Sequence, residues 1–148
     1  MEFTLRNGRD DDATAAITVL RRSIVELCGA DHGNDADEIA SWTANKSEAT
    51  WCVWAARDDA RLIIAERGAG LLGVGMVDAQ GMILLNYVSP DARFGGVSTA
   101  ILSELENVAR GFGEHACTLE STKTAQAFYE SRGYTFDDAP HGLMRKAL

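Results

Sequence analysis

The sequence predicts an α+β fold, and two patterns carry that prediction. In the first third of the chain, apolar residues recur at three- and four-residue steps, which is typical of amphipathic helices. Three short apolar runs follow, separated by glycine-containing links of four residues, and links this short favour an antiparallel meander. No repeat, linker or low-complexity segment interrupts the 148 residues, so we expect one domain over residues 1–148.

The first part of the chain is predicted to form one strand and three helices. A short strand is expected over residues 3–6, and the acidic triplet 10–12 is expected to cap the helix that follows. That helix has one apolar face and is expected to end at Gly29, before a polar turn over residues 30–35. Two shorter amphipathic helices follow, one around Ile39 and Trp42 and one over residues 48–57.

The remainder is predicted to form four strands, two helices and a closing hairpin. The meander strands are expected over residues 61–66, 71–77 and 82–88, and a helix follows the glycine pair Gly95-Gly96. A further strand over residues 116–119 leads to a helix that Ser121 or Thr122 caps and that Gly133 ends as a left-handed residue. Residues 134–136 and 143–146 could form a closing hairpin.

Composition and charge argue against several classes of protein. The chain has 14 Lys and Arg against 22 Asp and Glu, a net charge of −8, so it lacks the basic surface that most nucleic-acid binding requires. No uncharged apolar run approaches the ~18 residues of a membrane span, and the first residues do not resemble a signal peptide. The three cysteines are far apart, which argues against a disulfide framework or a metal site. We therefore expect a cytoplasmic protein that binds neither nucleic acid nor membrane.

The most informative segment joins a strand to a helix between residues 87 and 102. The first N–H groups of a helix are unpaired and carry its positive dipole end, so they attract anions. Glycines such as Gly95 and Gly96 let a phosphate approach those groups, and Ser98 and Thr99 add hydroxyl donors. By itself this pattern fits a tight connection as well as a phosphate site. It is neither a P-loop nor a dinucleotide-binding fingerprint.

Two motifs in this half of the chain match one family. Residues 93–98, Arg-Phe-Gly-Gly-Val-Ser, match the pattern Arg/Gln-x-x-Gly-x-Gly/Ala except that serine fills the last small position, and residues 88–90 match Val-x-Pro. A second motif comprises Thr122, Ala125, Phe128, Tyr129, Gly133 and Tyr134. In these motifs and in its order of elements, the chain resembles the GCN5-related N-acetyltransferase (GNAT) superfamily. The resemblance implies a mixed, mostly antiparallel sheet flanked by helices.

The resemblance also implies which residues bind acetyl-CoA and act on it. The cofactor-binding set would be Val88, Arg93, Phe94, Gly95, Gly96, Val97, Ser98, Thr99, Thr122 and Phe128. The backbone N–H of Val88 would stabilise the oxyanion, and Tyr129 would be the general acid for the departing thiolate. Alternatively, Tyr129 packs against the core with its hydroxyl satisfied.

The general base is less clearly indicated. Many relatives carry a carboxylate on the fourth strand, but this strand offers only Asn86, which cannot take a proton at neutral pH. Glu120 after the fifth strand, or Asp31 or His32 in the loop after the first long helix, are the substitutes. Glu120 could instead cap the next helix, and His32 could be a solvated loop residue. His115 and His141 are expected at the surface.

The expected function is acetyl-CoA-dependent transfer of an acetyl group to a primary amine of a small molecule or peptide, by direct attack and without a metal. The net charge of −8 favours a cationic acceptor, and a homodimer is one assembly the resemblance allows. Trp42, Trp51 and Trp54 lie in the segment that walls the acceptor site in such proteins, although helical spacing favours core packing for at least two. The alternatives are another acyl-CoA, a hydroxyl acceptor, or a CoA-binding sensory or interaction domain without catalysis.

Overall fold

A computed structural model describes residues 2–136 and 142–148 of the chain. The described strands are β1 (Thr4–Asn7), β2 (Ala60–Arg67), β3 (Gly70–Asp78), β4 (Met82–Val88), β5 (Ala116–Glu120), β6 (Thr135–Phe136) and β7 (Leu143–Ala147). The described helices are α1 (Ala13–Leu27), α2 (Gly29–His32), α3 (Ala36–Thr43), α4 (Glu48–Ala55), α5 (Val97–Gly111) and α6 (Gln126–Ser131). The α+β prediction is confirmed.

The strands form one sheet in the order β1-β2-β3-β4-β5-β7-β6. Of the pairings in the described residues, only β4 with β5 is parallel, so the sheet is mixed and mostly antiparallel as expected. That parallel pairing covers two residue pairs, Met82 with Thr118 and Ile83 with Leu119. Beyond Ile83, β4 continues to Val88 without β5 beside it. The sheet is therefore forked at this point.

A β-bulge lies at the start of the fork. The pairing of β3 with β4 shifts by one residue between Met76 and Val77, which leaves Leu84 without a partner of its own. A bulge bends its strand and increases the local twist. We attribute the divergence of β4 from β5 to this bend.

Helix α5 lies on one face of the sheet, and α1 lies on the other. Leu105 of α5 packs with strand residues such as Ile63, whereas Leu20 of α1 packs with Trp51 and Ile64. α5 approaches β3 closely because β3 has glycine there: a Cβ on Gly75 would lie 2.4 Å from Cγ2 of Ile101. This close contact fixes where α5 begins relative to β4.

Three local predictions need correction. Asp10–Asp12 form a single 3₁₀ turn, and Asp12 does not cap α1 with its side chain. Its carboxylate instead accepts hydrogen bonds from the Arg6 guanidinium at 2.7 and 2.9 Å, an interaction that lowers its pKa. Gly29 begins the short helix α2 rather than ending α1, and the left-handed residue is Gly33.

The third correction concerns the last helix. Thr122 Oγ accepts a hydrogen bond from the Ala125 N–H, but the helix itself begins at Gln126, one turn later. Gly133 has φ +95°, which agrees with its expected left-handed conformation after this helix. His115 is exposed, and His141 lies outside the described residues. No described helix is both long enough and apolar enough to span a membrane.

We expect Gly75→Ala to lower the free energy of unfolding by about 1–3 kcal/mol, because the new methyl group overpacks the contact with α5. Gly70→Ala is the matched control on the same strand, since its Cβ would meet nothing nearer than the Arg67 carbonyl oxygen at 3.5 Å. Urea unfolding of both variants measures the difference. Equal stability of the two variants would show that the approach of α5 does not depend on Gly75.

Candidate active site

A cavity of about 500 Å³ occupies the fork between β4 and β5. Residues 83–88 of β4 line one side, and Leu119 and Glu120 of β5 with Tyr129 of α6 line the other. The turn before α5 and the first residues of that helix close one end. The fork, the start of α5 and α6 therefore share one space, which brings residues of both sequence motifs together.

The start of α5 is open to this cavity. Gly96, the N-cap residue, has φ +81° and ψ 5°, and no side chain of the described residues caps the helix. The first bond of the helix runs from the Ala100 N–H to the Gly96 carbonyl at 3.1 Å, so the N–H groups of residues 97–99 precede the hydrogen-bonded ladder. A Cβ on Gly96 would meet nothing within 4 Å. Unpaired donors and an unobstructed approach make this helix end suited to an anion.

The residues before the glycine are exposed. The Arg93 guanidinium lies 4.6 Å from the centre of the Phe94 ring, and the Phe94 side chain is 91% exposed. Phe94 has φ +67°, which is uncommon for a residue that is not glycine. Gly95 does not line the cavity, and its N–H donates to the Ala92 carbonyl at 3.3 Å. The other predicted cofactor-binding residues, Val88, Arg93, Phe94, Gly96, Val97, Ser98, Thr99, Thr122 and Phe128, all line it.

The main chain of β4 presents polar groups to the fork. The Ser89 N–H donates to the Leu72 carbonyl at 2.8 Å, which makes the opposed residues Gly73 and Val88 a pair without mutual hydrogen bonds. In such a pair the N–H and C=O groups point away from the partner strand. The Val88 N–H therefore points away from β3, toward the side where β5 has diverged.

Asn86 adds an unpaired acceptor to the same wall. Its Nδ2 donates a long hydrogen bond of 3.5 Å to the Ser98 carbonyl. Its Oδ1 is buried and accepts no hydrogen bond from any residue that the structure describes. Because buried acceptors are normally paired, this oxygen requires a donor from water or from a ligand.

Tyr129 lies at the inner end of the cavity. Its ring is 7% exposed and packs edge-on against Phe128 and Tyr134, with ring centroids 5.1 and 5.7 Å away. Burial raises the pKa of Tyr129 to about 12, and the neighbouring Asn86 amide opposes this rise. The phenol is therefore protonated at neutral pH and can donate a proton.

A second cavity of about 480 Å³ adjoins the first. The two share five lining residues at the fork: Ile83, Leu84, Tyr87, Glu120 and Thr122. Ile24, Asp31, Trp42 and Lys46 line the rest of the second cavity together with the loop after β5. Of the three tryptophans, Trp51 is fully buried in the core and Trp54 packs against it. Trp42 alone lines the second cavity.

The three candidate bases differ in how they are held. Glu120 lies where the cavities meet, is exposed, and accepts no hydrogen bond from the described residues. Asp31 accepts hydrogen bonds from the backbone N–H groups of Lys123 and Thr124, so its carboxylate anchors the loop after β5. Glu120 thus has no helix-capping contact with the described residues, whereas Asp31 holds the turn that precedes α6.

His32 is held in a structural position. It is 3% exposed and lines neither cavity. Its Nδ1 accepts a hydrogen bond from the Asn34 N–H at 3.0 Å, so its Nε2 carries the proton and donates to the Ile24 carbonyl at 2.7 Å. Both ring nitrogens thus have partners within the protein and the side chain lies outside the two cavities, a geometry that does not favour His32 as the base.

One residue of the second cavity, Lys46, was not predicted from the sequence. Lys46 is 9% exposed and lines the second cavity. Nothing in its neighbourhood in the sequence distinguishes it from a solvated lysine between two helices. Among the described residues, no group of three His, Cys, Asp or Glu side chains comes together as a potential metal site.

Comparison with known proteins identifies the family. Residues 34–142 match the family model of the acetyltransferase (GNAT) domain, which is well over half of the chain. The chain therefore belongs to the GNAT family of acetyltransferases. A comparison with curated protein sequences found no match.

Solved structures agree with the fold. A GCN5-related N-acetyltransferase from Rhodopseudomonas palustris is 22% identical, with TM-score 0.88 over 100% of this chain and 97% of that chain. The PaiA N-acetyltransferase from Thermoplasma acidophilum, solved in complex with coenzyme A, is 20% identical, with TM-score 0.88 over 100% of both chains. The ribosomal-protein-S18-alanine N-acetyltransferase from Escherichia coli is 17% identical, with TM-score 0.71 over 99% and 94%. At these identities the likeness shows the fold.

We expect Gly96→Ala to weaken binding of acetyl-CoA at least about tenfold, which is about 1.4 kcal/mol, because its Cβ enters the approach to the first turn of α5. Gly113→Ala is the matched control: Gly113 also has positive φ, its Cβ would also meet nothing within 4 Å, and it lies outside both cavities. Both variants carry a similar left-handed backbone penalty of about 1–2 kcal/mol. Isothermal titration calorimetry measures the affinities. Equal affinities of the two variants would refute the phosphate site.

Proposed function

We propose that the protein is an acetyl-CoA-dependent N-acetyltransferase that transfers the acetyl group to a primary amine by direct attack. The observation that carries the proposal is the continuity of the site. The open start of α5, the unpaired edge of β4 and the Tyr129 phenol line one cavity, and a second cavity joins it at the fork. One space can hold the acyl donor while the other admits the acceptor.

In this proposal the donor lies along the first cavity. The N–H groups of residues 97–99 bind the pyrophosphate, where the lack of a side chain at Gly96 leaves room. Ser98 is small enough to keep that approach open. The Asn86 Oδ1 accepts a hydrogen bond from an N–H of the pantetheine arm, which satisfies its missing partner.

The transfer step then uses two groups of the protein. The amine nitrogen attacks the thioester carbonyl carbon, a C–N bond forms, and the C–S bond breaks. The Val88 N–H, which points into the fork, stabilises the oxyanion that develops on the carbonyl oxygen. Tyr129 donates its proton to the departing thiolate and regains one from solvent.

The attacking amine must also lose a proton. Glu120 is the residue we assign to this step, because its carboxylate has no partner among the described residues and lies where the two cavities meet. It accepts the proton directly or through one water. Asn86 can orient such a water but cannot accept a proton.

A CoA-binding domain without catalysis is the second candidate function. The absence of a carboxylate on β4 favours it, since many relatives use that position for the base. A release assay for CoA thiol with a panel of amines separates the two functions. A cytoplasmic location, a homodimer and the action of residues 1–148 as one domain stay predictions.

We expect Tyr129→Phe to lower kcat and kcat/KM together by about 10² or more, because general acid catalysis typically contributes that much. The affinity for acetyl-CoA and the melting temperature should change little, since the ring remains. Initial rates of CoA release and calorimetry measure these quantities.

Tyr134→Phe is the control for this experiment. The Tyr134 hydroxyl donates to the buried Glu106 carboxylate at 2.8 Å, away from the cavity. We therefore expect this variant to lose stability while its kcat stays near that of the wild type. If Tyr129→Phe keeps at least half of the wild-type kcat, the hydroxyl of Tyr129 has a structural role.

A further inference from the structure

Lys46 is a buried cation that has no ionic partner among the residues that the structure describes. Its side chain lies in the wall of the second cavity, and the residue is more than nine-tenths buried. Its Nζ donates a hydrogen bond of 2.7 Å to the Asn45 Oδ1. Of the residues described, none places a carboxylate oxygen within 4 Å of this nitrogen. Buried charges are normally paired, so the Lys46 ammonium group lacks the anionic partner that its burial would require among the described residues.

The fold holds Lys46 in this position. Arg21 of α1 donates from its Nε to the Lys46 carbonyl at 2.8 Å and from its Nη2 to the Thr43 carbonyl at 3.2 Å. The connection between α3 and α4 is thereby fixed to α1. The side chain of Lys46 is consequently presented from an anchored backbone rather than from a free loop.

The ammonium group can accept a further ligand. It has three donors, and the Asn45 side chain uses one. Burial lowers the pKa of Lys46, whereas an anion beside it would favour the charged form. An anionic group in the second cavity would therefore both find donors and stabilise the lysine.

The second cavity has a carboxylate at the fork and a buried lysine in another part of its lining. Glu120 is at the fork, next to the first cavity, while Lys46 lies in the part of the second cavity that the first does not share. Asp31, the other carboxylate in the lining, is already occupied by the N–H groups of Lys123 and Thr124. The other lysine in the lining, Lys123, is exposed, so among the described residues Lys46 is the buried cation that an anionic ligand would meet.

We infer that Lys46 binds an anionic group on the acceptor, so that the substrate is a compact amine that also carries a carboxylate or a phosphate. This inference rests on the proposed acetyl transfer for the position of the amine, at Glu120. The net charge of −8 predicted a cationic acceptor from the whole chain. The cavity modifies that prediction: the amine end is cationic and the other end is anionic.

The experiment compares acceptors that differ only in their charge. A series of ω-amino acids with one to five methylenes is assayed beside the matching ω-amino amides and the diamines of equal length. O-phosphoethanolamine and ethanolamine form a further pair, which distinguishes a phosphate from a carboxylate. We expect the best acid or phosphate to exceed its neutral partner about tenfold or more in kcat/KM, mainly through KM.

Lys46→Met tests the residue itself. Methionine keeps an unbranched side chain in the cavity wall, so the fold should be retained, and a melting curve verifies it. The preference for the anionic acceptor should vanish in this variant, while kcat/KM for the neutral amides stays within about twofold. Arg67→Met is the charge control, because Arg67 is an exposed cation of β2 that lines neither cavity. It should keep the preference.

Four results would overturn the inference. Three of them are equal kcat/KM for acid and amide in the wild type, diamines as the best acceptors, and an equal loss of preference in the Lys46 and Arg67 variants. A fall in kcat for every acceptor in Lys46→Met would also contradict it, because that pattern belongs to a catalytic role rather than to recognition.

Binding separates this inference from the proposed function. Titration of the wild type and Lys46→Met with the acids and amides, in the presence of CoA and followed by NMR, requires no catalysis. If no amine releases CoA thiol, the proposed transfer fails. Even then, an acid preference that depends on Lys46 supports the anion site, and equal binding of acid and amide refutes it.

Discussion

β4 and β5 pair over two residue pairs and then separate, and the site depends on this separation. Backbone N–H and C=O groups at an unpaired strand edge need partners, and a ligand or water in the fork can supply them. The bulge at Leu84 bends β4 at the place where pairing stops. On the neighbouring strand, Gly73 and Gly75 let α5 lie close to the sheet, so the helix begins beside the open edge. The packing of α5 against β3 thereby positions the first turn of the helix beside the open edge of β4.

The sequence could predict features that depend on local backbone chemistry. Short glycine-containing links predicted the meander. A glycine at the expected C′ position predicted the end of α6, and Gly133 indeed has φ +95° there. The open first turn of α5 was predictable because Gly96 has no Cβ to block the approach to its N–H groups, and glycine readily adopts the left-handed conformation that it has here. The second motif and the order of the elements also indicated Tyr129, which lines the cavity in the structure.

The features that sequence analysis missed depend on contacts between distant segments. Asp12 has the residue type and place of a helix cap, but the Arg6 side chain on β1 takes its carboxylate. His32 looked like a free loop histidine, yet the carbonyl of Ile24 and the N–H of Asn34 occupy its ring nitrogens. Lys46 is buried only because α1 anchors the connection that carries it. Contacts between single pairs of distant residues produce no periodic pattern in the sequence, so sequence analysis does not reveal them.

A crystal structure of the protein with acetyl-CoA tests the central claim most directly, namely that the fork between β4 and β5 is the donor site. The account predicts the pyrophosphate on the N–H groups of residues 97–99, with the thioester between the Val88 N–H and the Tyr129 hydroxyl. A donor bound outside the fork, or β4 and β5 paired beyond Ile83 in the complex, would contradict it.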